Sequence, residues 1–165
     1  MKQNSKIEQR TDMLNINRSN NYVNDVKVVL SKTTDAKYLP KRAHPSDAGA
    51  DLTAAESFEL YPGDQKMIDT GVAVKIPEGY GGFVFNRSSQ GKQGITIPHS
   101  VGVIDSDYRG NIKVILKNNG EDVYNIVAGE TRVAQLVIMP VLLVDFIDSW
   151  NDTERGTGGF GSTGQ

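Results

Sequence analysis

The chain has 165 residues, which suffices for one domain with a single core, and it carries a formal net charge of −2 at pH 7. This charge argues against a protein that holds nucleic acid on a broad basic surface. The absence of cysteine excludes disulfides and a thiolate nucleophile, and two histidines are too few for a histidine-rich metal site, so an intracellular, cytoplasmic protein fits best.

The first 25 residues contain six asparagines and no apolar run long enough for a signal sequence or a membrane span. They predict a polar extension at 1–25, followed by a β domain at 26–147 and by a linker and tail at 148–165. The sequence shows no internal repeat and no second domain. We therefore expect neither a membrane nor nucleic acid as a partner, and a host cytoplasm if a virus or prophage encodes the chain.

From residue 26 onward the chain consists of short β-type runs separated by turn residues, and helical periodicity is nearly absent. In the run NIKVILKN, Ile112, Val114 and Leu116 share one face and the lysines share the other, as in a half-buried strand. Around 136–144 both faces are apolar, which indicates a strand buried on two sides, inside a sandwich or at a contact between identical subunits. The pattern predicts an all-β protein, an antiparallel β-sandwich or barrel.

Two stretches carry more functional residue types than a strand connection needs. PSDAGADL, at 45–52, holds two carboxylates four residues apart around Gly49, although Asp and Gly are also ordinary turn residues. NRSSQGKQGI, at 86–95, sets Arg87 beside two hydroxyls and ahead of two glycines. Arginine, hydroxyls and freed backbone amides suit phosphate oxygens, and a plain basic turn is the alternative.

A third stretch, GVIDSDYRGN at 102–111, lies between two strand patterns and brings Asp105, Asp107 and Tyr108 into one turn. A carboxylate that follows the apolar pair Val103–Ile104 could be partly desolvated and could then deprotonate a water molecule. Solvated aspartates in a hairpin turn are the alternative.

The fourth stretch is AGETRVAQLVI, at 128–138, in which Gln135 interrupts an apolar strand. A buried amide needs partners, so Gln135 is either a structural hydrogen-bonding group or a ligand contact. The chain then ends in RGTGGFGSTGQ, at 155–165, whose glycines predict a tail that is disordered by itself. Its arginine, its aromatic ring and its hydroxyls also suit a ligand.

These four stretches, in this order and followed by the glycine-rich terminus, resemble the five sequence motifs of the homotrimeric dUTP pyrophosphatase (dUTPase) family. The resemblance runs from about residue 26 to residue 164. It implies a jelly-roll β fold and hydrolysis of dUTP to dUMP and pyrophosphate, which supplies dUMP for thymidylate synthesis and keeps uracil out of DNA. It also implies a homotrimer in which each site takes its phosphate ligands from one chain, Asp105 from a second and the flap from a third.

The resemblance assigns roles to individual residues. Asp105 resembles the general base for the water that attacks the α-phosphorus, and Tyr108 resembles the ring that leaves no room for a ribose 2′-hydroxyl. Asp51 resembles the carboxylate that holds Mg²⁺ through water, and magnesium suits a triphosphate on physical grounds as well. The remaining implied substrate contacts are Arg87, Ser88, Ser89 and Gln135 at the phosphates, together with Gly102 and Ile104.

The glycine-rich terminus resembles the mobile flap of the family, which folds over the bound nucleotide and excludes water. By resemblance, Arg155 would meet the terminal phosphate and Phe160 would stack on the uracil ring. Gly161, Ser162 and Thr163 would close on the phosphates. Glycine suits this role because the backbone must approach phosphate oxygens closely and adopt positive φ angles.

Two positions depart from the family pattern. Asn86 stands where many relatives have proline, so the local backbone is less rigid. His99 stands where many bacterial relatives carry an asparagine that pairs with uracil. His99 is therefore either a base contact or a surface histidine.

Two other functions are compatible with parts of the pattern. dCTP deaminase shares the fold, but deamination needs an acid/base group at the pyrimidine, usually a glutamate, and RGNIKVILKN after Tyr108 contains no acidic residue. A non-catalytic dUTPase-like trimer of a virus or prophage could sense nucleotide and grip a partner protein, and the extension at 1–25 is the segment that could serve it.

Overall fold

The computed structural model describes residues 27–30, 35–153 and 156–157. Within these ranges the chain is nearly all β, as the sequence predicts. The expected polar extension lies outside the described residues. So do the residues expected to form the flap contacts, which are Arg155, Phe160, Gly161, Ser162 and Thr163.

Ten strands, one short α-helix and one 3-10 turn make up the regular structure of the described chain. The helix, α1, is Ser88–Lys92, and the 3-10 turn is Ala36–Tyr38. No described helix has the length and apolarity needed to cross a membrane. The strands are β1 Val29–Leu30, β2 Ala50–Thr53, β3 Phe58–Leu60, β4 Gln65–Lys75, β5 Tyr80–Phe85, β6 Ile95–Thr96, β7 Val101–Ile104, β8 Asn111–Asn118, β9 Tyr124–Ile126 and β10 Arg132–Pro140.

The strands form two four-stranded antiparallel sheets, one in the order β1-β4-β8-β6 and the other in the order β2-β10-β5-β7, while β3 and β9 pair separately. Neighbours in space are mostly far apart in sequence, as expected when sheets of a sandwich exchange strands. The second sheet is the one that places the functional residues, because the expected contacts on β2 and β10, beyond the end of β5 and around β7 all belong to it.

The core lies between the two sheets. On β8, Ile112, Val114 and Leu116 are each at most 1% exposed, so the predicted alternation of this strand is confirmed. From the other sheet, Leu52 on β2 and Val133 on β10 are fully buried in the same cluster. Because each sheet turns one apolar face to the other, the predicted antiparallel sandwich is confirmed.

The chain beyond β10 differs from the sequence-based expectation. The predicted doubly buried strand at 136–144 ends at Pro140, which lies opposite Tyr80, the first residue of its partner strand β5. Residues 142–150, which we call the arm, have no described strand beside them. The large apolar side chains of the arm are 61–96% exposed; they are Leu142, Leu143, Val144, Phe146, Ile147 and Trp150. Burial inside a sandwich is therefore wrong for 142–144, and a contact between identical subunits is the alternative that remains.

Candidate functional site

The candidate site starts from one row of residues across three strands. Gln135 on β10 pairs with Asp51 on β2 and, on its other side, with Phe85 at the end of β5. Directly opposite residues in an antiparallel sheet point to the same face. Asp51 and Gln135 therefore share a face, although 84 positions separate them in the numbering of the chain. The sequence had left Asp51 in an ordinary turn as one alternative, and the structure places it inside β2.

A β-bulge in β10 adds Arg132 to this face. The register with β2 shifts between Arg132 and Ala134, so that Arg132 pairs with Thr53 while Gln135 pairs with Asp51. Residues three apart on a regular strand point to opposite faces, but one extra residue restores a common face. Arg132 and Gln135 therefore both line the candidate site.

Asp51 is the electrostatic centre of the site. Its Oδ1 accepts a hydrogen bond from Arg87 Nε at 2.7 Å, and its Oδ2 accepts one from Arg132 Nη1 at 3.2 Å. A longer bond of 3.5 Å runs from Arg87 Nη2 to Oδ2. The side chains of Asp51 and Arg87 are only 18% and 20% exposed, which strengthens their attraction relative to a surface pair. The pair fixes the Arg87 guanidinium over the sheet face.

The segment after β5 brings the hydroxyl groups to the same place. The sequence left a plain basic turn as the alternative here, whereas the structure forms the one-turn helix α1, whose first residues are Ser88 and Ser89. Ser88 is exposed and lines the site, and Ser89 Oγ accepts a hydrogen bond from Arg87 Nη1 at 3.3 Å. The segment thus presents a guanidinium and two hydroxyl groups together.

Gln135 supports this segment from below. Its Nε2 donates to the backbone oxygen of Asn86 at 3.0 Å. A β-carbon at Gly49 would lie 2.7 Å from Gln135 Oε1, so glycine at that position leaves the space that the amide occupies. In the described chain Gln135 therefore acts as a structural hydrogen-bonding group, and it lines the site as well.

These residues surround an open cleft of about 340 Å³. Two arginines and two carboxylates face it, together with serine and glutamine side chains that can donate hydrogen bonds. Such a mixture suits a compact polyanion accompanied by a divalent cation. The lining residues are Ala43, Asp47, Ala48, Gly49, Asp51, Arg87, Ser88, Arg132 and Gln135.

The number of free acceptor positions on the Asp51 carboxylate determines how a magnesium ion could bind in this cleft. Among the described residues there is no cluster of three or more acidic, histidine or cysteine side chains that could enclose a metal. An ionised carboxylate accepts about four hydrogen bonds, and arginine N–H groups supply three to Asp51, so roughly one acceptor position is left. Asp51 therefore fits an ion that keeps most of its water molecules and is held through one of them.

The second group of candidate residues lies on the turn between β7 and β8. Tyr108 donates its hydroxyl to the backbone oxygen of Asn111 at 3.0 Å, and its ring lies over Gly110. A β-carbon at Gly110 would come within 2.7 Å of Tyr108 Cζ, so only glycine allows the ring this position. The resulting ring is partly exposed and presents a flat face at the end of the sheet.

Asp105 is exposed on the same turn. The expectation that Val103 and Ile104 hold it partly desolvated is wrong for the single chain, because Val103 itself is 62% exposed. The physical reason is that β7 is an edge strand, whose outer side no described strand covers. Any desolvation of Asp105 has to come from outside the described chain.

The sheet register separates Asp105 from the cleft. Phe85, in the same row as Asp51, pairs with Val101, whereas Gly82 pairs with Ile104, the residue before Asp105. The separation is about 13 Å along the strands and about 14 Å across three strand spacings, which gives roughly 20 Å between Asp51 and Asp105. Within one chain the structure therefore brings Asp51, Arg87, Ser88 and Gln135 together but leaves Asp105 and Tyr108 at the far end of the sheet.

The remaining expected contacts lie along β7. Gly102 pairs with Val84 and Ile104 pairs with Gly82, on a strand whose other edge no described strand covers. His99 is exposed, and its Nε2 lies 3.5 Å from the position of a β-carbon at Gly102. The His99 imidazole thus lies beside the backbone of β7. This position is compatible with a contact to the base and with a surface histidine.

Sequence reasoning missed Arg132. This residue occurs in the fourth stretch, three positions before Gln135, and regular alternation would point it away from Gln135. The signal that could have found it is the pair of buried apolar residues between them, Val133 and Ala134, since two consecutive buried residues indicate a bulge.

Comparison with known proteins gives a consistent result. The family model described as dUTPase matches residues 35–164. The deoxyuridine 5′-triphosphate nucleotidohydrolase of Leifsonia xyli is 47% identical over 133 residues, which are 78% of this chain and 87% of that protein. The corresponding protein of Cutibacterium acnes is 44% identical, over 83% of this chain and 92% of its own length.

Solved structures of phage proteins share the fold. The dUTPase of Staphylococcus bacteriophage 80alpha with dUpNHpp superposes with a TM-score of 0.69 at 29% identity, covering 84% of this chain and 99% of that one. A mutant dUTPase from phage phi11 of S. aureus, which shows the coordination of a structural Mg(II) ion, gives a TM-score of 0.68 at 27% identity. That comparison covers 76% of this chain and 97% of the phage protein.

Proposed function

The chain belongs to the dUTPase family and hydrolyses dUTP to dUMP and pyrophosphate, and we propose that the cleft around Asp51 is the part of its active site that binds the triphosphate. The observation that carries this proposal is the convergence of three separate stretches of the chain on one cleft. Asp51, the Arg87–Ser88 pair and Gln135 come from β2, the start of α1 and β10. No turn or capping function requires such a convergence.

Arg87 and Ser88 bind phosphate oxygens in this proposal. A guanidinium presents parallel N–H donors that match phosphate oxygens, and a helix-start hydroxyl adds a short donor. Before the substrate binds, Arg87 is paired with Asp51 instead, so its charge is already neutralised and its position fixed. Binding of the triphosphate replaces one anionic partner of the guanidinium by another, which limits the free energy lost by desolvating it.

Asp51 would hold a magnesium ion that accompanies the triphosphate, through one of the ion's water molecules, at an acceptor position that is free or that Arg87 leaves. When bound, the ion neutralises charge that builds on the phosphates. Arg132 stays on the other carboxylate oxygen and keeps Asp51 oriented. This assignment is supported by the donor set of the cleft.

Asp105 acts as the general base in the proposed reaction. Its carboxylate takes a proton from a water molecule, the water oxygen attacks the α-phosphorus, and the bond from that phosphorus to the bridging oxygen of pyrophosphate breaks. A general base must lie within hydrogen-bond reach of the attacking water. Because roughly 20 Å separate Asp51 from Asp105 within one chain, the Asp105 that serves a given cleft has to come from another copy.

The active unit we propose is therefore a homotrimer with shared sites. The arm supports this assignment, since its exposed leucines, phenylalanine and tryptophan are large apolar side chains that a neighbouring chain could cover. Val103, beside Asp105, is exposed as well. A neighbouring chain that covered this edge would also supply the desolvation of Asp105 that the single chain lacks.

The flap contacts of Arg155, Phe160, Gly161, Ser162 and Thr163 stay predictions from the resemblance. The same holds for the cytoplasmic location and for the metabolic role, in which the enzyme supplies dUMP for thymidylate synthesis and keeps uracil out of DNA. The boundaries of the polar extension, the β domain and the tail at 1–25, 26–147 and 148–165 also stay as predicted.

The reaction is tested by measuring pyrophosphate release from each of the four DNA nucleoside triphosphates and from dUTP with purified protein and Mg²⁺. We expect release from dUTP alone. Conversion of dCTP to a uracil nucleotide would instead identify a deaminase. Binding of dUTP without release of pyrophosphate would identify a non-catalytic nucleotide sensor.

We propose that the Tyr108 ring distinguishes deoxyribose from ribose. The absence of a side chain at Gly110 allows the Tyr108 ring to take its position. We expect the wild-type protein to hydrolyse UTP far more slowly than dUTP, because the ring leaves no room for a 2′-hydroxyl. Gly110→Ala should narrow the ratio of kcat/KM for dUTP over UTP by about tenfold or more, since a β-carbon there displaces the ring by clashing with Tyr108 Cζ.

Tyr108→Ala is the companion variant and should narrow the same ratio. Gly79→Ala is a control, because a β-carbon at Gly79 strains a backbone with a φ of +81° but meets nothing within 4 Å and so displaces no side chain. Equal use of UTP and dUTP by the wild-type protein would contradict the role of Tyr108. An unchanged ratio in Gly110→Ala would contradict the support that Gly110 gives it.

A further inference from the structure

Asn86 occupies a central position beneath the phosphate-binding segment. Its side-chain Nδ2 donates to the backbone oxygen of Ile95 at 2.9 Å, nine residues further along the chain. Its own backbone oxygen accepts the hydrogen bond from Gln135 Nε2 at 3.0 Å. The side chain therefore ties the two ends of segment 87–94 to each other, and the backbone ties them to β10.

The two ends of segment 87–94 are restrained by different means. The distal end is fixed by backbone packing, because Gly94 adopts a φ of +77° and a β-carbon there would lie 2.6 Å from the backbone nitrogen of Gly120. Asn119 N also donates to Gly94 O at 2.9 Å. At the end that carries Arg87, Phe85 is the last residue of β5 paired in the sheet, and beyond it the positions of Arg87 and Ser88 depend on side-chain contacts and on the helix itself.

Gln93 Nε2 donates to the backbone oxygen of Ser89 at 3.1 Å, and Arg87 itself is held by its 2.7 Å bond to Asp51. Gln90 is a further side chain that restrains this end, and its hydrogen bonds are long. It is 1% exposed, accepts from Arg87 N at 3.4 Å and donates to the Tyr124 hydroxyl at 3.4 Å. Hydrogen bonds weaken as the distance grows beyond the usual 2.7–3.2 Å range. Among the side-chain hydrogen bonds that join residues 86–95 to one another, the 2.9 Å bond of Asn86 is the shortest.

We propose that Asn86 is a positioning residue for the triphosphate, acting through Arg87 and Ser88, which it holds at the mouth of the cleft. This inference rests on the proposed function of the cleft. It also explains how the chain manages without the more rigid backbone that a proline would give at this position: the side-chain bond to Ile95 restrains the segment instead.

Asn86→Ala tests the proposal, with Asn119→Ala as the matched control. Asn119 also donates through its Nδ2, to Thr96 Oγ1 at 2.8 Å on the same strand β6, but it is exposed and lies outside the cleft. We expect Asn86→Ala to weaken binding of dUpNHpp by about threefold to tenfold, the range for one lost hydrogen bond. Binding of dUMP, which makes fewer phosphate contacts, should weaken less, and KM should change more than kcat.

The outcomes separate a positioning role from a structural one. An equal loss of affinity for dUpNHpp and dUMP, or a lowered melting temperature with unchanged affinities, would overturn the proposal. So would an Asn119→Ala variant that behaves like Asn86→Ala. If Asn86→Ala fails to fold, the uncharged and similarly shaped Asn86→Leu, compared with Asn119→Leu, removes the same donor without adding a charge and should give the same selective loss.

The failure of the proposed function would look different. In that case the wild-type protein would release no pyrophosphate from dUTP, or would bind dUpNHpp no more tightly than dUMP. A wild-type protein that hydrolyses dUTP, combined with an Asn86→Ala variant of unchanged affinity, would overturn only the role of Asn86.

Discussion

Asp105→Asn should lower kcat for dUTP by about 10² to 10⁴, the usual contribution of a general base. Asparagine has the shape of aspartate but cannot accept the proton of the attacking water. The turn itself should tolerate the change, because Asp105 is exposed and its backbone oxygen, which accepts from Tyr108 N at 3.2 Å, is retained.

The measurement compares single-turnover hydrolysis of dUTP with equilibrium binding of dUpNHpp. Binding should remain within a few-fold of wild type, since the phosphate contacts come from the cleft around Asp51. Asp107→Asn, two residues further along the same turn, is the matched control and should keep most of the activity. Near-normal turnover by Asp105→Asn would remove Asp105 from the catalytic role.

A mixture of two inactive variants should regain activity. Asp105→Asn lacks the base, and Arg87→Ala lacks a phosphate ligand, so each homotrimer has three defective sites. If a cleft takes Arg87 from one chain and Asp105 from its neighbour, a mixed trimer contains one site in which both residues are intact. The roughly 20 Å between Asp51 and Asp105 within one chain is the structural reason to expect this result.

The expected recovery follows from random assembly. Unfolding and refolding an equal mixture puts both variants into about three quarters of the trimers, and one site in three of each mixed trimer is intact. The activity should therefore reach roughly a quarter of that of refolded wild type.

Two tagged versions of the chain, purified in sequence, establish that mixed trimers form. Refolding each variant alone gives the baseline. Mixed trimers no more active than this baseline would show that one chain supplies both residues. This result would contradict a site shared between chains, and it would do so for any activity of the wild-type enzyme.

Much of the fold was predictable because its signals are local. The alternation along β8 decides which side chains of that strand are buried, and the structure buries Ile112, Val114 and Leu116 as the sequence indicates. The residue at which β10 ends was not predictable in the same way. An apolar run such as 136–144 has the same pattern whether its cover comes from its own chain or from another, and only Pro140 hinted at the end of the strand.

The site was predictable in its residue types and not in its geometry. The motif residues of the cleft could be named from the sequence, but the contact of Arg132 with Asp51 depends on a bulge that one extra residue creates. The position of the Tyr108 ring depends on the missing side chain of Gly110. The distance from Asp51 to Asp105 depends on the register of β5 with β7, which no short stretch of sequence specifies.

The exposed arm gives the protein a built-in optical reporter. Trp150 is the only tryptophan in the sequence, and it is 87% exposed in the single chain. Indole emission shifts to shorter wavelength when water around the ring is replaced by apolar groups. If neighbouring chains cover the arm, the emission spectrum of unlabelled protein follows assembly without interference from a second fluorophore of the same kind. Dilution should then shift the emission to longer wavelength as trimers dissociate, and the loss of specific activity should follow the same concentration dependence.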